Sequence, residues 1–209
     1  MCSLKMRITT GKYKGRRLEM PKGIRPTQEK IRKAIFDILG DISDLLFLEL
    51  FAGSGSVGIE ALSRGAKEVV FVENNRECLK VLNKNLTAIK AFNQAILPLA
   101  VEAAVKGLAK DSRKFQIIFI DPPYYRELVP RLGSISLTTS RSGPMVSPVE
   151  SLAKKTLQSL GAYDILAPNG FLVVQHSKKE SLPAKLGVLN LIRQSKYADN
   201  LLSFYQKGK

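Results

Sequence analysis

The feature that most constrains the fold is the stretch Leu48-Glu49-Leu50-Phe51-Ala52-Gly53-Ser54-Gly55-Ser56-Val57-Gly58. An apolar run from Leu45 to Leu50 ends in a glycine-rich turn, which opens directly into a helical pattern over Val57 to Arg64. Strand, tight turn and helix in succession form the setting in which a glycine loop binds a nucleotide-like ligand. Glycine lets the backbone turn sharply and approach the ligand, and the helix N-terminus offers unpaired N–H groups. Gly53, Gly55 and Gly58 also keep the G-x-G-x-x-G spacing, which dinucleotide binders share and which does not choose a ligand by itself.

Glu49 helps to choose. A carboxylate at the end of the strand would repel the pyrophosphate of a dinucleotide. S-adenosylmethionine (SAM) instead brings an ammonium and a sulfonium, which an acid attracts, and its single carboxylate can use the turn's N–H groups and the helix dipole. The plainer reading of Glu49 is a solvated strand-end acid. The glycine context favours the SAM reading.

From residue 45 the pattern alternates. Apolar runs predict strands at 45–50, 68–73, 95–99, 115–120 and 170–175, with helices over 56–64, 76–90, 102–110 and 149–161. Unbroken apolar strands between helices imply a parallel sheet covered on both faces. Segments 187–196 and 201–207 flank Ala198-Asp199-Asn200 and predict an antiparallel hairpin closing the sheet. The expectation is an α/β, Rossmann-like, seven-stranded and mostly parallel sheet. Val70-Phe71-Val72-Glu73 ends the second strand with an acid 20 residues after Gly53, where a ribose diol is bound in nucleotide-binding βαβ units. A ribose is common to SAM and NAD, so Glu73 supports the site without naming the ligand. Glu102 follows the third strand and is a candidate for an adenine amine, although first-turn acids also serve the helix dipole.

Charge divides the chain. The net of +15 is concentrated at its ends, +8 in residues 1–40 and +5 in residues 171–209, against +2 between them. A polyanionic partner, nucleic acid first, fits that distribution. Residues 1–40 are therefore expected to form a basic N-terminal extension, and 41–209 the glycine-loop domain. Within the extension, residues 7–20 read as a hairpin with Lys12, Lys14, Arg16 and Arg17 near its tip, placed to meet phosphates. Tyr13 either stacks on a base or pins the hairpin to the body. Arg25-Pro26-Thr27 then leads into a helix with Thr27 as N-cap, and Ile31, Ala34, Ile35, Ile38 and Leu39 form its buried stripe. Arg32 and Lys33 lie off the stripe and are expected to be solvated or RNA-facing. There is neither a run of membrane-spanning length nor an apolar signal core at the start. The two cysteines, Cys2 and Cys78, make no disulfide framework or metal pattern, and a cytoplasmic protein without a metal is expected. Nothing demands a dimer, so a monomer is expected.

The chemistry is carried by Asp121-Pro122-Pro123-Tyr124, which follows the strand Phe115 to Ile120. In an open parallel sheet it shares a rim with Gly53 and Glu73. Two prolines stiffen the chain and donate no N–H. The two N–H groups of an exocyclic amine can donate to the Asp121 carboxylate and the Pro122 carbonyl. That directs the nitrogen lone pair at a methyl donor and stabilises the positive charge developing on nitrogen. Tyr124 is placed to stack on the base.

Asp-Pro-Pro-Tyr after the fourth strand resembles the signature of amino-group methyltransferases of the class I SAM fold. Further blocks occur in order: Arg7-Ile-Thr-Thr-Gly11 with Gly15-Arg16, Arg25-Pro26-Thr27, Phe51-Ala-Gly-Ser-Gly55, Glu60-Ala-Leu-Ser-Arg-Gly-Ala66 and Phe71-Val-Glu73. Together they are similar to the bacterial small-subunit (16S) ribosomal RNA guanine-N2 methyltransferases, over nearly the whole chain. The resemblance implies that Asp121, Pro122, Pro123 and Tyr124 hold the guanine amine. It implies that Glu49, Phe51, Ala52, Gly53 and Gly55, with Glu73 and Glu102, hold SAM. It also implies that the hairpin, with Arg7, Lys12, Lys14, Arg16, Arg17 and Arg25, grips rRNA, either in the small subunit or in an assembly intermediate.

Three features depart from the family pattern. The fifth strand ends Val174-Gln175-His176 where an acid is usual, so His176 is either a pocket residue or a surface one. The last hairpin reads Tyr197-Ala198 in place of Tyr-Gly. Residues 131–148 enlarge the loop after the catalytic tetrapeptide and are expected to be mobile. The rival readings are amino methylation of adenine N6 in DNA or RNA, an oxidoreductase with a dinucleotide on the glycine loop, and a non-catalytic RNA-binding assembly factor.

Overall fold

The computed structural model describes residues 5–21, 27–123 and 151–208. Tyr124, Arg25 and the 131–148 segment lie outside the described residues. A short antiparallel hairpin, β1 (Lys5–Arg7) and β2 (Arg17–Glu19), precedes α1 (Glu29–Leu39). The alternating body follows: β3 (Leu46–Leu50), α2 (Ser56–Ser63), β4 (Glu68–Val72), α3 (Arg76–Ile89), β5 (Gln94–Leu97), α4 (Val101–Lys110) and β6 (Phe115–Ile120). It is completed by α5 (Leu152–Ala162), β7 (Leu166–Ser177), β8 (Lys185–Leu186), β9 (Leu189–Tyr197) and β10 (Asn200–Lys207).

The large sheet runs β5-β4-β3-β6-β7-β10-β9-β8, parallel from β5 to β7 and antiparallel beyond. This is the expected Rossmann-like sheet of a class I methyltransferase with one strand more than the sequence predicts, because a two-residue edge strand, β8, is too short for a periodic signal. β7 also begins four residues earlier than its apolar run, through an irregularity opposite Phe115 and Ile117 where Asn169 takes a φ of 59°. Alternate residues of each central strand serve opposite layers, as the strand period requires. Phe47, Val69, Phe71, Ile117 and Phe119 pack with α1, α2, α3 and the hairpin. Leu48, Leu50, Val70, Val72, Ile118 and Ile120 pack with α4 and α5. Among the described residues no helix is long and apolar enough to cross a membrane.

The hairpin is bound to the body by polar groups that the sequence reading misplaces. Arg32, expected to be solvated, is fully buried. It is covered because the hairpin packs against α1 and α2 around it. Its guanidinium donates to the Met6 sulfur, the Arg7 carbonyl (2.8 Å) and the Thr27 carbonyl (3.3 Å), and lies 3.7 Å from the buried carboxylate of Glu60. Burial pulls its pKa down, against the raising influence of Glu60. Glu60 in turn accepts the Thr9 amide (2.9 Å), the Thr9 hydroxyl (2.6 Å), the Thr10 amide (3.0 Å) and Arg64 Nε (3.2 Å). At the tip, Lys12 N donates to Ser63 O at 2.7 Å, and a methyl group on Gly11 would lie 1.7 Å from that oxygen, so only glycine allows the approach. Tyr13 is buried and pins the hairpin to the body.

Candidate active site

β3, β4 and β6 are neighbours, and their carboxyl ends form one rim on which Glu49, the glycine turn, Glu73 and Asp121 meet. The chain leaves β3 through Phe51, whose φ of 58° is unfavourable for an aromatic residue and is a local strain at the head of the turn. Phe51 and Gly53 are partly exposed on the rim, and Ala52 is buried.

Glu49 points inward rather than into solvent. Only 3% of it is exposed, and its two oxygens accept Val57 N (3.2 Å) and Gly58 N (2.8 Å), the first turn of α2. A methyl group on Gly58 would lie 2.4 Å from the Phe71 ring and 2.6 Å from Glu49 Oε2, so the third glycine of the motif is there for close packing of helix, strand and acid. Burial pushes the Glu49 carboxyl up to about 8, against the lowering effect of those two amides, and Asp121 and Glu73 push it further in the same direction. Glu73 closes on the turn: its Oε2 accepts Gly53 N at 2.7 Å, and its Oε1 accepts the amides of Asn74 and Asn75 at 2.9 and 2.8 Å.

These bonds revise one expectation. The amides that the sequence reading reserves for a ligand's carboxylate are held by the protein's own carboxylates. An anionic pyrophosphate would meet acids where it needs donors, so the dinucleotide reading loses its binding site. A cation-bearing ligand fits the rim. Glu73 and Asp121 converge there beside the buried Glu49 carboxyl, and nothing outside the turn itself lies within 4 Å of where a side chain on Gly53 would begin. SAM meets both conditions. Glu102 stands exposed in the first turn of α4, which follows β5 on the same rim.

Asp121, Pro122 and Pro123 continue directly from β6 on this rim, with Asp121 partly exposed. Thr27, expected to cap α1, does not. Gln28 occupies the cap position, and the Thr27 hydroxyl donates to Asp121 Oδ2 at 2.9 Å across 94 residues of sequence. A second unforeseen link is the buried Asn85 of α3. Its side chain accepts Glu19 N (2.8 Å) and donates to Glu19 O and Ser54 O (3.0 Å each), tying β2 to the glycine turn. An asparagine within a helix's apolar stripe is the signal that could have pointed to it.

His176 takes neither of its expected places. It is buried in the sheet, Nδ1 3.2 Å from Ser177 O and Nε2 2.8 Å from Ser203 Oγ, and burial lowers its pKa. The carbonyl accepts, so the network assigns the proton to Nδ1. The basic residues separate from the rim that carries Asp121. Lys12 and Arg16 sit at the C-terminal ends of α2 and α3, the opposite rim of the sheet, while Arg7, Lys14 and Arg17 are exposed along the hairpin.

Residues 6–138 match the family described as conserved hypothetical protein 95. The "Putative rRNA methyltransferase YlbH" of Bacillus subtilis is 31% identical over 206 residues, covering 97% of this chain and 99% of that one. Ribosomal RNA small subunit methyltransferase D of Escherichia coli is 38% identical over 127 residues, 59% of this chain and 63% of that one. The fold also matches the T. thermophilus 16S rRNA N2 G1207 methyltransferase, solved with AdoMet and guanosine. That structure has a TM-score of 0.67 at 19% identity and covers 99% of this chain and 50% of that one. The acid-lined glycine turn, the Asp-Pro-Pro corner beside it and these relatives agree: the chain belongs to the conserved hypothetical protein 95 family of small-subunit ribosomal RNA methyltransferases, class I enzymes that use S-adenosylmethionine.

Proposed function

We propose that this protein methylates the exocyclic N2 amine of a guanine in small-subunit rRNA. The observation that carries the reading is the placement of Asp121-Pro122-Pro123 at the end of β6, on the rim where Glu49, Glu73 and the glycine turn converge. Bound SAM supplies an electrophilic methyl group on a sulfonium. The protein's own part is positioning and charge. Asp121 accepts one N–H of the amine and the Pro122 carbonyl accepts the other, so the nitrogen lone pair is aimed and the developing positive charge is stabilised. Thr27 fixes the rotation of the Asp121 carboxylate through Oδ2. The proton lost from the methylated amine passes to Asp121 or, through it, to water. Tyr124 is the proposed stacking partner of the base, and Glu102 a proposed contact for the cofactor's adenine.

The test is incubation with SAM labelled in its methyl group, offering unmodified small subunits, deproteinised 16S rRNA and duplex DNA, followed by mapping of the labelled base. The expected result is N2-methylguanine in rRNA. Label confined to DNA, or carried on adenine N6, would overturn the assignment.

A further inference from the structure

Phe92, in the loop between α3 and β5, is the most exposed large apolar side chain among the described residues, at 79%. A single exposed ring needs no explanation; what surrounds this one does. The Lys12 ammonium lies 5.3 Å from the Phe92 centroid and 5.5 Å from that of Tyr13, and the Arg16 guanidinium lies 5.7 Å from Tyr13. Arg16 also donates to Ala88 O at 3.1 Å, which holds the hairpin tip against the end of α3. Lys14, Lys67 and Lys90 are exposed around the same loops, and Asp41 bounds the patch across a surface cleft shared with Gly11 and Arg64. Tyr13 is 5% exposed and has no face left for a ligand, whereas Phe92 does. An open aromatic face within a cluster of cations is the arrangement that grips single-stranded nucleic acid, cations on phosphates and ring on base.

The location gives this patch its meaning. Asn93 donates to Ala66 O and Lys67 O, at the amino ends of the parallel strands, so Phe92 lies on the rim opposite Asp121. Five-residue strands set the two rims roughly 16 Å apart. That is about five stacked nucleotides, further than a target base and its neighbours reach.

We propose that Phe92, with Lys12 beside it, is a base-stacking anchor for a second, unpaired segment of the RNA substrate, so that the enzyme holds its rRNA at both rims. The inference rests on the rRNA reading above. It adds that the substrate is folded RNA long enough to reach from one rim of the sheet to the other, and not a short oligonucleotide around the target.

The experiment compares wild type with Phe92→Ala, Phe92→Leu and Phe92→Trp in the full chain, using 16S rRNA as probe. Expected for Ala and Leu is a rise of about tenfold in Kd and KM for rRNA, with kcat and thermal midpoint unchanged, and recovery in Trp. Wild-type affinity in both Ala and Leu variants would overturn the anchor alone, and so would full affinity in Leu, because an apolar contact would then suffice without stacking. Vesicles of phosphatidylserine and phosphatidylcholine form a second arm. Binding that is lost in Phe92→Ala there, and unchanged with rRNA, would assign the patch to lipid and overturn the proposal. Failure of wild type to bind rRNA at all would overturn the rRNA reading and this site with it.

Discussion

At the carboxyl ends of β3, β4 and β6 the protein gathers Glu49, Glu73 and Asp121; at the amino ends of the same strands it gathers Lys12, Arg16, Lys67 and Lys90. Helix polarity explains both groupings. The N-terminal amides of α2 face the first rim and bind the Glu49 carboxylate. The last carbonyls of α2 and α3 face the second, where Ser63 O accepts the Lys12 amide and Ala88 O accepts Arg16. The basic side chains stand at the helix ends whose partial charge favours them, and the Glu49 carboxyl is held by the amides of the opposite end. The difference teaches that one element, the helix, divides the labour: a desolvated acidic rim suited to a cationic cofactor, and a solvated basic rim suited to a polyanion.

The largest expected effect lies on the acidic rim. Asp121→Asn keeps the shape and removes the charge, and kcat should fall by about 10³-fold while SAM and rRNA affinities stay within about threefold. Single-turnover rates beside equilibrium binding would check this. Near-normal turnover would show that the acidic rim is not where chemistry happens. Glu60→Gln acts between the rims. It breaks a buried pair with Arg32 and weakens the bonds to Thr9 and Thr10, at a cost of about 3 kcal/mol in urea unfolding. Hydrogen exchange at the Thr9 and Thr10 amides should accelerate more than exchange in β3.

Glu49 gives the comparison a pH signature. Its carboxyl is raised to about 8 in the fold from an ordinary 4.5, chiefly by burial. The native state therefore binds a proton that the unfolded chain has released. Stability is full below about pH 4.5, falls as pH rises towards about 8, and levels above it, on the order of 5 kcal/mol in all. Denaturation midpoints of the ligand-free protein across that window would show the slope, and Glu49→Gln should flatten it. A slope unchanged in Glu49→Gln would remove Glu49 as its source.

Periodic and local features of this fold were legible in the sequence. Phe47, Leu48, Val70, Phe71, Ile118 and Phe119 sit in unbroken apolar runs, and those runs are the central strands. Glu49, Glu73 and Asp121 fall on one rim because the ends of neighbouring parallel strands must. Polar pairs between distant segments leave no such trace. Arg32 reads as a solvated charge until the hairpin covers it beside Glu60, and nothing local to Asn85 tells that β2 and the glycine turn meet it. His176 looks like a strand end until β10 extends the sheet beside it. Ala198, where the family pattern has glycine, still turns the last hairpin, with a φ of 53°.

The smallest predicted change tests whether the two rims are coupled. Thr27 belongs to the N-terminal segment, downstream of the hairpin whose tip reaches the basic rim, yet its hydroxyl is spent on Asp121 rather than on capping α1. Thr27→Val has nearly the same volume and loses only the donor, so Asp121 keeps its charge and loses one constraint on its rotation. A hydrogen bond to a charged group is worth about 1.5 kcal/mol, which sets the expected loss at about tenfold in kcat with KM for rRNA and SAM unchanged. Thr27→Ser restores the hydroxyl and should restore the rate. If Val lowers affinity for rRNA instead of kcat, Thr27 serves the hairpin and not the carboxylate. If Val and Ser are equally slow, the methyl group matters and the hydrogen bond does not. Recovery in Ser alone would mean that the N-terminal segment, which also carries the basic hairpin, holds the Asp121 carboxylate in place.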